Sequence, residues 1–241
     1  MSDGLWDNFD NPVFTENKLR STLDIHMDKR EEIKKCFEAT KVVAIIRGMA
    51  PEICVKLAKA YREGGIRFVE VTFNQIGDPA DTVTAIRAVR AACPDLHVGA
   101  GTVITAAQLD LAVEAGATFI VTPNCNPAII RQAVAAGLVT MPGAFTPSEI
   151  VTAHEAGADY VKVFPVRALG PGYVKDVLAP LKHVKIVAVG GVSPANAADY
   201  IKAGCVGVAA SGSLVDREWI AAGEYGRIAD VARQLVENCK Q

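Results

Sequence analysis

The chain has 241 residues, half of them hydrophobic, and a formal net charge of -2 at pH 7. This length fits two small domains or one α/β barrel, with enough hydrophobic residues for a large core. The near-neutral charge argues against nucleic acid or an anionic membrane surface as the main partner. No apolar run is long enough to span a bilayer, and no signal-like segment opens the chain, so we expect a cytoplasmic protein.

The cysteines and histidines are dispersed along the chain, without CxxC or zinc-type spacing. They are Cys36, Cys54, Cys93, Cys125, Cys205 and Cys239, with His26, His97, His154 and His183. Scattered thiols are typical of a reduced, cytosolic protein. We expect no metal site.

Residues 1–26 differ in character from the rest of the chain. They are polar and acidic, with Trp6, Phe9 and Phe14 set singly among Asp, Asn and Gly. We interpret them as an N-terminal extension or an added peptide, and most simply as a tail without function. The alternative is a short peptide whose aromatic side chains dock on a neighbouring subunit or another protein. Residues 27–241 are then expected to form a single domain.

From residue 28 onward, apolar strands alternate with amphipathic helices. The predicted strands cover residues 42–46, 67–72, 97–102, 118–122, 138–141, 159–165, 185–189 and 206–209. The predicted helices cover residues 28–39, 51–63, 80–92, 106–115, 126–136, 147–156, 171–179, 194–203 and 218–238. Near-continuous apolar strands are typical of a parallel sheet that helices cover on its outside.

Eight strand–helix units predict an α/β fold of the (β/α)8 TIM-barrel class. Several helices end in the same pattern, at Ala115-Gly116, Ala136-Gly137, Ala156-Gly157 and Ala203-Gly204, where Gly stops the helix. A doubly wound open sheet is the alternative, but it is expected to carry a Gly-rich first turn that binds a dinucleotide. Gly48-Met49-Ala50-Pro51 is not such a turn.

The strand at residues 159–165 carries Lys162 among aromatic and β-branched residues. Burying an ammonium ion costs free energy unless the ion is paired or loses its proton. An apolar pocket that lowers a lysine pKa from about 10.4 to roughly 7–8 makes the neutral, nucleophilic amine common. Lys162 is therefore either a Schiff-base lysine or a lysine that extends its charge to solvent at a strand end. This stretch alone does not separate the two.

Polar residues and glycines follow most of the strands, at the end where barrel enzymes hold their chemistry. They are Arg47, Glu70, Thr72, Asn74, Thr102, Thr122, Lys162, Gly190, Gly191, Ser211, Gly212 and Ser213. Singly, each has a structural explanation, such as an ion pair for Glu70 or a helix N-cap for Thr102. Together they put a cation, a carboxylate, an amine and two Gly-rich anion-binding loops on one rim.

Five motifs occur in barrel order: Glu-Val-Thr at 70–72, Gly-Ala-Gly-Thr-Val at 99–103, Thr-Pro at 122–123, Lys-Val-Phe-Pro at 162–165 and Gly-Gly-Val-Ser-Pro at 190–194. In these motifs the chain resembles the family of 2-keto-3-deoxy-6-phosphogluconate (KDPG) and 4-hydroxy-2-oxoglutarate (KHG) aldolases. The resemblance implies a class I pyruvate aldolase that needs no metal or other cofactor. It also implies a small keto-acid substrate and a homotrimer.

The resemblance assigns roles to residues around the lysine. Lys162 would form the Schiff base, and Glu70 would be the general acid/base. Thr102 would contact the pyruvate carboxylate, while Pro123 and Phe164 would shape the pocket. The C3–C4 bond of the substrate would break to give pyruvate and an aldehyde.

A distal phosphate would lie against Gly190, Gly191 and Ser213. Backbone N–H groups without bulky side chains favour an oxyanion, as does the helix N-terminus that Ser193-Pro194 is predicted to open. Neither Gly-rich loop contains Lys or Arg, so only neutral donors are expected there. Ser211 stands where relatives often have Gly.

Two positions depart from the family pattern. Better-known members carry an arginine four residues after the glutamate, where this chain has Asn74, and Arg47 is expected to supply the missing cation. Val189 precedes the Gly-Gly pair, where phosphogluconate-specific members often have Thr. Val189, together with residues 43–48, 122–124 and 170–173, resembles the branch that acts on 2-keto-3-deoxy-6-phosphogalactonate (KDPGal). Which C4 epimer is cleaved therefore stays open.

Other classes of function remain as alternatives. A sugar-phosphate epimerase or decarboxylase barrel shares the Gly-Gly phosphate loop, but it does not need a buried lysine followed by Phe-Pro. A metal-dependent pyruvate aldolase needs ligand carboxylates or histidines that the sequence does not group. A non-catalytic assembly scaffold is the third alternative, and the intact pair of Lys162 and Glu70 counts against it.

Overall fold

The structure is a computed structural model that describes residues 29–240. The predicted N-terminal extension, residues 1–26, lies outside the described residues. In the described part, nine strand segments form one sheet in which every pairing is parallel. They are β1 (Val42–Ile46), β2 (Phe68–Thr72), β3 (His97–Gly101), β4 (Phe119–Val121), β5 (Val139–Met141), β6 (Gly143–Ala144), β7 (Val161–Val163), β8 (Ile186–Val189) and β9 (Gly207–Ala210).

The sheet closes on itself at a strand that proline interrupts. Its order is β5-β4-β3-β2-β1-β9-β8-β7-β6, and only Pro142 separates β5 from β6. The two segments are halves of one strand, because proline has no N–H to donate to the sheet. The Pro142 carbonyl still accepts a hydrogen bond from the Lys162 N–H at 2.8 Å. The barrel is therefore eight-stranded, and the predicted (β/α)8 fold is confirmed.

One helix precedes the first strand, and the others follow the strands on the outside of the barrel. They are α1 (residues 29–40), α2 (Pro51–Glu63), α3 (Pro79–Ala92), α4 (Ala106–Glu114), α5 (Pro127–Ala135), α6 (Pro147–Glu155), α7 (Gly170–Leu178), α8 (Ala197–Lys202), α9 (Arg217–Ala222) and α10 (Tyr225–Asn238), with a short 3-10 helix at Val166–Ala168. The predicted last helical region, residues 218–238, consists of two helices, because the chain turns between α9 and α10. The predicted helix at 194–203 is also shorter than expected, since α8 begins only at residue 197.

Local sequence starts several of these helices in the same way. Asn126 and Thr146 are N-caps whose side chains accept hydrogen bonds from backbone N–H groups of the first turn, and each is followed by a proline. At Thr146 the cap is reciprocal, because the Glu149 carboxylate accepts from the Thr146 N–H at 2.8 Å. Such caps begin α5 and α6 directly after the fourth and fifth barrel strands, which keeps the loops at this end short.

The core has two parts, one inside the barrel and one between the strands and the helices. Side chains such as Phe68 and Phe119 fill the interior, while alternate strand residues pack outward against the helices. Helix α1 closes the barrel at the N-terminal ends of the strands, where the fully buried Phe37 ring contacts Phe68 and Tyr160. The opposite end, at the C-terminal ends of the strands, stays open.

No helix between residues 29 and 240 is long and apolar enough to cross a membrane. In the same part of the chain, no three or more His, Cys, Asp or Glu side chains come close enough together to hold a metal ion.

Candidate active site

A cavity of about 500 Å³ opens at the C-terminal ends of the strands. Its walls include most residues that the sequence analysis assigned to the site: Arg47, Thr102, Pro123, Lys162, Phe164, Val189, Gly190, Gly191, Ser211, Gly212 and Ser213. A second groove of about 660 Å³ lies between α6 and α7 on the outer surface, but it is mostly apolar and no lysine or arginine lines it. Lys162 and Arg47, the nucleophile and the cation that the sequence assigns to the site, are thus both at the barrel mouth.

Lys162 projects from β7 into the barrel and is only 5% exposed. Its Nζ lies 4.7 Å from the centre of the Phe164 ring, so the lysine and the aromatic wall of the cavity are in contact. Burial lowers the pKa of the Lys162 amine; the Glu70 carboxylate opposes this shift, and Arg47 adds to it. The structure therefore provides the apolar environment in which a lysine loses its proton.

Glu70 lies deeper than the cavity wall, inside the barrel on β2, and is 1% exposed. Both carboxylate oxygens lack a hydrogen-bond partner among the described residues. Burial raises the pKa of the Glu70 carboxyl, against the opposing effects of Lys162 and Arg47. A buried, unpartnered carboxylate is unusual in a folded protein and indicates a functional group.

The pKa values of Lys162 and Glu70 are both shifted in the direction of the neutral form. Burial is the largest influence on both pKa values, and it acts against the charged form of each group. A free amine beside a protonated carboxyl is the arrangement that a nucleophile and a general acid require.

Gly101 makes room for the Glu70 carboxylate from the neighbouring strand. A Cβ atom at this position would lie 1.8 Å from Glu70 Oε1, so only glycine fits. The next residue, Thr102, has a φ of 56° in the left-handed region, which is costly for a β-branched residue. Backbone strain of this kind is typical of functional sites, and Thr102 lines the cavity.

The loops after β8 and β9 are held by side chains. The Asn196 amide donates to the Gly191 carbonyl at 3.0 Å, and its oxygen accepts from the Ser193 N–H at 2.8 Å. The Ser213 hydroxyl donates to the Val192 carbonyl at 2.8 Å. The Asn196 bonds shape the loop after β8, and the Ser213 bond joins this loop to the one after β9.

The predicted helix start at Ser193-Pro194 was wrong. The N-cap of α8 is Asn196, and α8 has only six residues. Ser193 and Pro194 belong instead to the turn that precedes it, and the Ser193 carbonyl accepts from the Ala197 N–H at 3.0 Å. The predicted contribution of a helix N-terminus to anion binding is therefore dropped.

Thr72 and Asn74 lie outside the lining of this cavity. Both line a separate pocket of about 350 Å³ near the starts of α2 and α3. The Asn74 amide oxygen accepts a hydrogen bond from the Ile76 N–H at 3.2 Å, so the side chain shapes its own turn. Thr122, at the end of β4, likewise serves the backbone, because its hydroxyl oxygen accepts from the Gly143 N–H at 3.3 Å.

Arg167 is a cavity residue that the sequence analysis missed. It lies on the 3-10 helix after β7, and its backbone N–H donates to the Gly190 carbonyl at 2.9 Å. The expectation of only neutral donors beside the Gly-Gly loop was therefore wrong. The sequence does contain a signal for this residue, because an arginine five residues after the lysine must lie near the mouth of the same barrel.

Comparisons with known proteins agree with this geometry. Residues 33–231 match the protein family described as KDPG and KHG aldolase. A probable 2-dehydro-3-deoxy-6-phosphogalactonate aldolase of Rhizobium meliloti is 41% identical over 165 residues, which is 68% of this chain and 76% of that protein. A 2-dehydro-3-deoxy-phosphogluconate aldolase of Treponema pallidum is 34% identical over 85% of this chain and 96% of its own length.

A solved structure described as native KDPGal superposes with a TM-score of 0.74 at 35% identity, covering 83% of this chain and 94% of that one. The sequence match, the barrel and the buried lysine thus lead to the same conclusion. The chain belongs to the KDPG and KHG aldolase family, a family of carbon–carbon lyases.

Proposed function

We propose that the protein is a class I aldolase that cleaves a 2-keto-3-deoxy-6-phospho sugar acid, KDPG or KDPGal, to pyruvate and glyceraldehyde 3-phosphate. The same site would also cleave 4-hydroxy-2-oxoglutarate to pyruvate and glyoxylate. The observation that carries this proposal is the buried pair of Lys162 and Glu70, whose pKa values are shifted toward the neutral amine and the neutral acid. An epimerase or decarboxylase barrel does not need a buried lysine that is followed by Phe-Pro, as Lys162 is.

The first half of the reaction forms an iminium ion. The Lys162 amine attacks the C2 ketone, and a proton moves from nitrogen to oxygen to give a carbinolamine. The Glu70 carboxyl then donates its proton to the departing hydroxyl, which leaves as water. The products of this step are the iminium ion and a Glu70 carboxylate, so the buried negative charge forms only when a positive charge forms beside it.

The second half breaks the carbon–carbon bond. The Glu70 carboxylate takes the proton of the C4 hydroxyl, and the electrons of the C3–C4 bond move into the iminium to give an enamine and the aldehyde. Glu70 returns this proton to C3 of the enamine. Water then hydrolyses the iminium and gives its proton to Glu70, which releases pyruvate and restores the free amine and the neutral acid.

The substrate carboxylate would be bound by Arg47 and Thr102. Arg47 directly follows β1 and lies on the cavity wall, and its charge influences the pKa values of both Lys162 and Glu70. A guanidinium group suits a carboxylate because it offers two parallel N–H donors. Pro123 and Phe164 would form walls of the part of the site that holds the pyruvate half of the substrate.

Trapping the imine tests the proposal. Borohydride added with pyruvate should leave a stable adduct on the peptide that contains Lys162, and Lys162→Arg should abolish it, because a guanidinium stays charged and forms no such imine. Lys175→Arg, an exposed lysine on α7, is the matched control and should leave the adduct intact. Undiminished labelling of Lys162→Arg would reject the mechanism.

The assembly and setting of the enzyme are inferred from the family resemblance. We infer a homotrimer in the cytoplasm, with residues 27–241 as one aldolase domain and no bound cofactor. Light scattering should therefore give a particle of three times the chain mass of 25.5 kDa.

A further inference from the structure

The Gly-Gly loop after β8 lies beside a cation from another part of the barrel. Arg167 is exposed, and among the described residues it forms no ion pair. Its guanidinium is therefore available to an anion in the cavity that it lines.

The arginine stem rests on Gly191. A Cβ atom on Gly191 would lie 2.6 Å from Arg167 Nε and 2.8 Å from Arg167 Cβ, so the absence of a side chain there lets the arginine pass over the loop. The hydrogen bond from the Arg167 N–H to the Gly190 carbonyl, at 2.9 Å, holds the two segments together. This bond keeps the Arg167 backbone beside the Gly-Gly loop over which its side chain passes.

The loops themselves offer only neutral donors. The backbone N–H groups of Gly191, Val192, Gly212 and Ser213 donate to no backbone carbonyl among residues 29–240. The Ser213 hydroxyl is already donated to Val192. Neutral N–H groups suit an oxyanion, but a group with two negative charges is held more strongly when a guanidinium also binds it.

We propose that Arg167 is a specificity-determining residue that binds the terminal phosphate of the substrate and makes the enzyme prefer phosphorylated keto acids. This inference rests on the proposed function and adds to it the group that recognises the phosphate charge. We assign Arg167 no part in the bond-breaking steps, because it follows β7 and packs on the Gly190–Gly191 loop, whereas Glu70 is on β2, four strands away around the barrel.

The test compares each keto acid with the same molecule lacking its phosphate. In Arg167→Gln the ratio of kcat/KM for the phosphorylated and unphosphorylated substrates should fall by about ten- to a hundred-fold, the range for a lost charge-assisted hydrogen bond. The loss should lie mainly in KM, because the contact forms in the ground state as well as in the transition state. Inorganic phosphate should also inhibit the variant less than the wild type.

Two further variants sharpen the result. Arg131→Gln removes the same charge from an exposed position on α5 and should leave the ratio unchanged. Arg167→Lys keeps the charge and should recover part of the ratio. A lysine variant no better than glutamine would mean that Arg167 acts only by packing on Gly191, and would overturn the proposal.

The outcomes separate this inference from the proposed function. If the wild type forms no borohydride adduct with pyruvate, the proposed aldolase function fails. If the wild type cleaves both substrates and Arg167→Gln keeps the same ratio, only the role of Arg167 is rejected.

Discussion

At the scale of single residues, three ionisable side chains create the chemistry of the cavity. Lys162 and Glu70 are buried inside the barrel, whereas Arg47 is exposed at its mouth. Burial drives the first two toward neutrality, and the free amine and neutral acid are both needed for the first step that we propose. Arg47 carries a guanidinium group, whose fork of N–H donors suits a carboxylate.

The position of Arg47 leads to a prediction about carboxylate binding. Arg47→Ala should lower kcat/KM by roughly ten- to a hundred-fold with the fold intact, because one charge-assisted contact of about 1.5–3 kcal/mol is lost. Asn74→Ala is the matched comparison. Asn74 lines a different pocket and bonds its own turn, so steady-state kinetics should show little change. A large loss of kcat/KM in Asn74→Ala, with wild-type kinetics in Arg47→Ala, would show that Asn74 and not Arg47 binds the carboxylate.

At the scale of elements, β3 supports the acid on β2 without contributing a catalytic side chain. Gly101 stands opposite Thr72 in the sheet register, and the Glu70 carboxylate occupies the space that a side chain on Gly101 would need. The Gly-Ala-Gly-Thr motif is therefore a packing requirement as well as a sequence signature. Its last residue, Thr102, turns the chain into the cavity wall with a positive φ.

Gly101→Ala should consequently damage activity more than stability. The added methyl group must displace the Glu70 carboxyl, and overpacking of this kind costs about 1–3 kcal/mol of folding free energy. We expect kcat/KM to fall by at least about a hundred-fold, as for loss of a general acid/base. Gly226→Ala, where a methyl group meets nothing within 4 Å, is the control for both measurements. Wild-type kinetics in Gly101→Ala would show that Glu70 does not need this position.

The whole molecule is a barrel closed at one end and open at the other. Helix α1 covers the N-terminal ends of the strands, with Phe37 packed on Phe68 and Tyr160. The Tyr160 hydroxyl donates to the Glu38 carboxylate of the same helix at 3.1 Å. This closure leaves the opposite mouth as the route for substrate and product.

Phe37→Ala is expected to lower the stability of the fold and to leave catalysis by the folded protein nearly unchanged. Removing a fully buried ring should cost about 3–5 kcal/mol in chemical denaturation. Since the ring lies at the end opposite Lys162, the folded fraction should keep kcat/KM within about two-fold. Val113→Ala, at a side chain that is 42% exposed, should change neither quantity appreciably. A large fall in kcat/KM of folded Phe37→Ala would show that the Phe37 ring also shapes the active site.

Local pattern was enough to determine much of this architecture from the sequence. Apolar strand runs and helix-stopping glycines predict the barrel, because each unit must bury one face of a helix against its own strand. The end of each strand then identifies the residues of the mouth, among them Lys162, Glu70 and Arg47. The break at Pro142 was not predicted, since it depends on two strand halves that pair with different neighbours.

Only the tertiary structure decided which residues of the mouth share a cavity. Asn74 and Arg47 are both near strand ends, but the turn at 74–77 directs Asn74 to another pocket. Arg167 and Gly191 are far apart in sequence and meet because β7 and β8 are neighbours in the closed sheet. The spacing of residues in the sequence indicates which way a side chain points from its own strand or helix. Contact between side chains of different strands depends on how those strands pair in the barrel. That pairing brings a guanidinium to a loop that has none of its own.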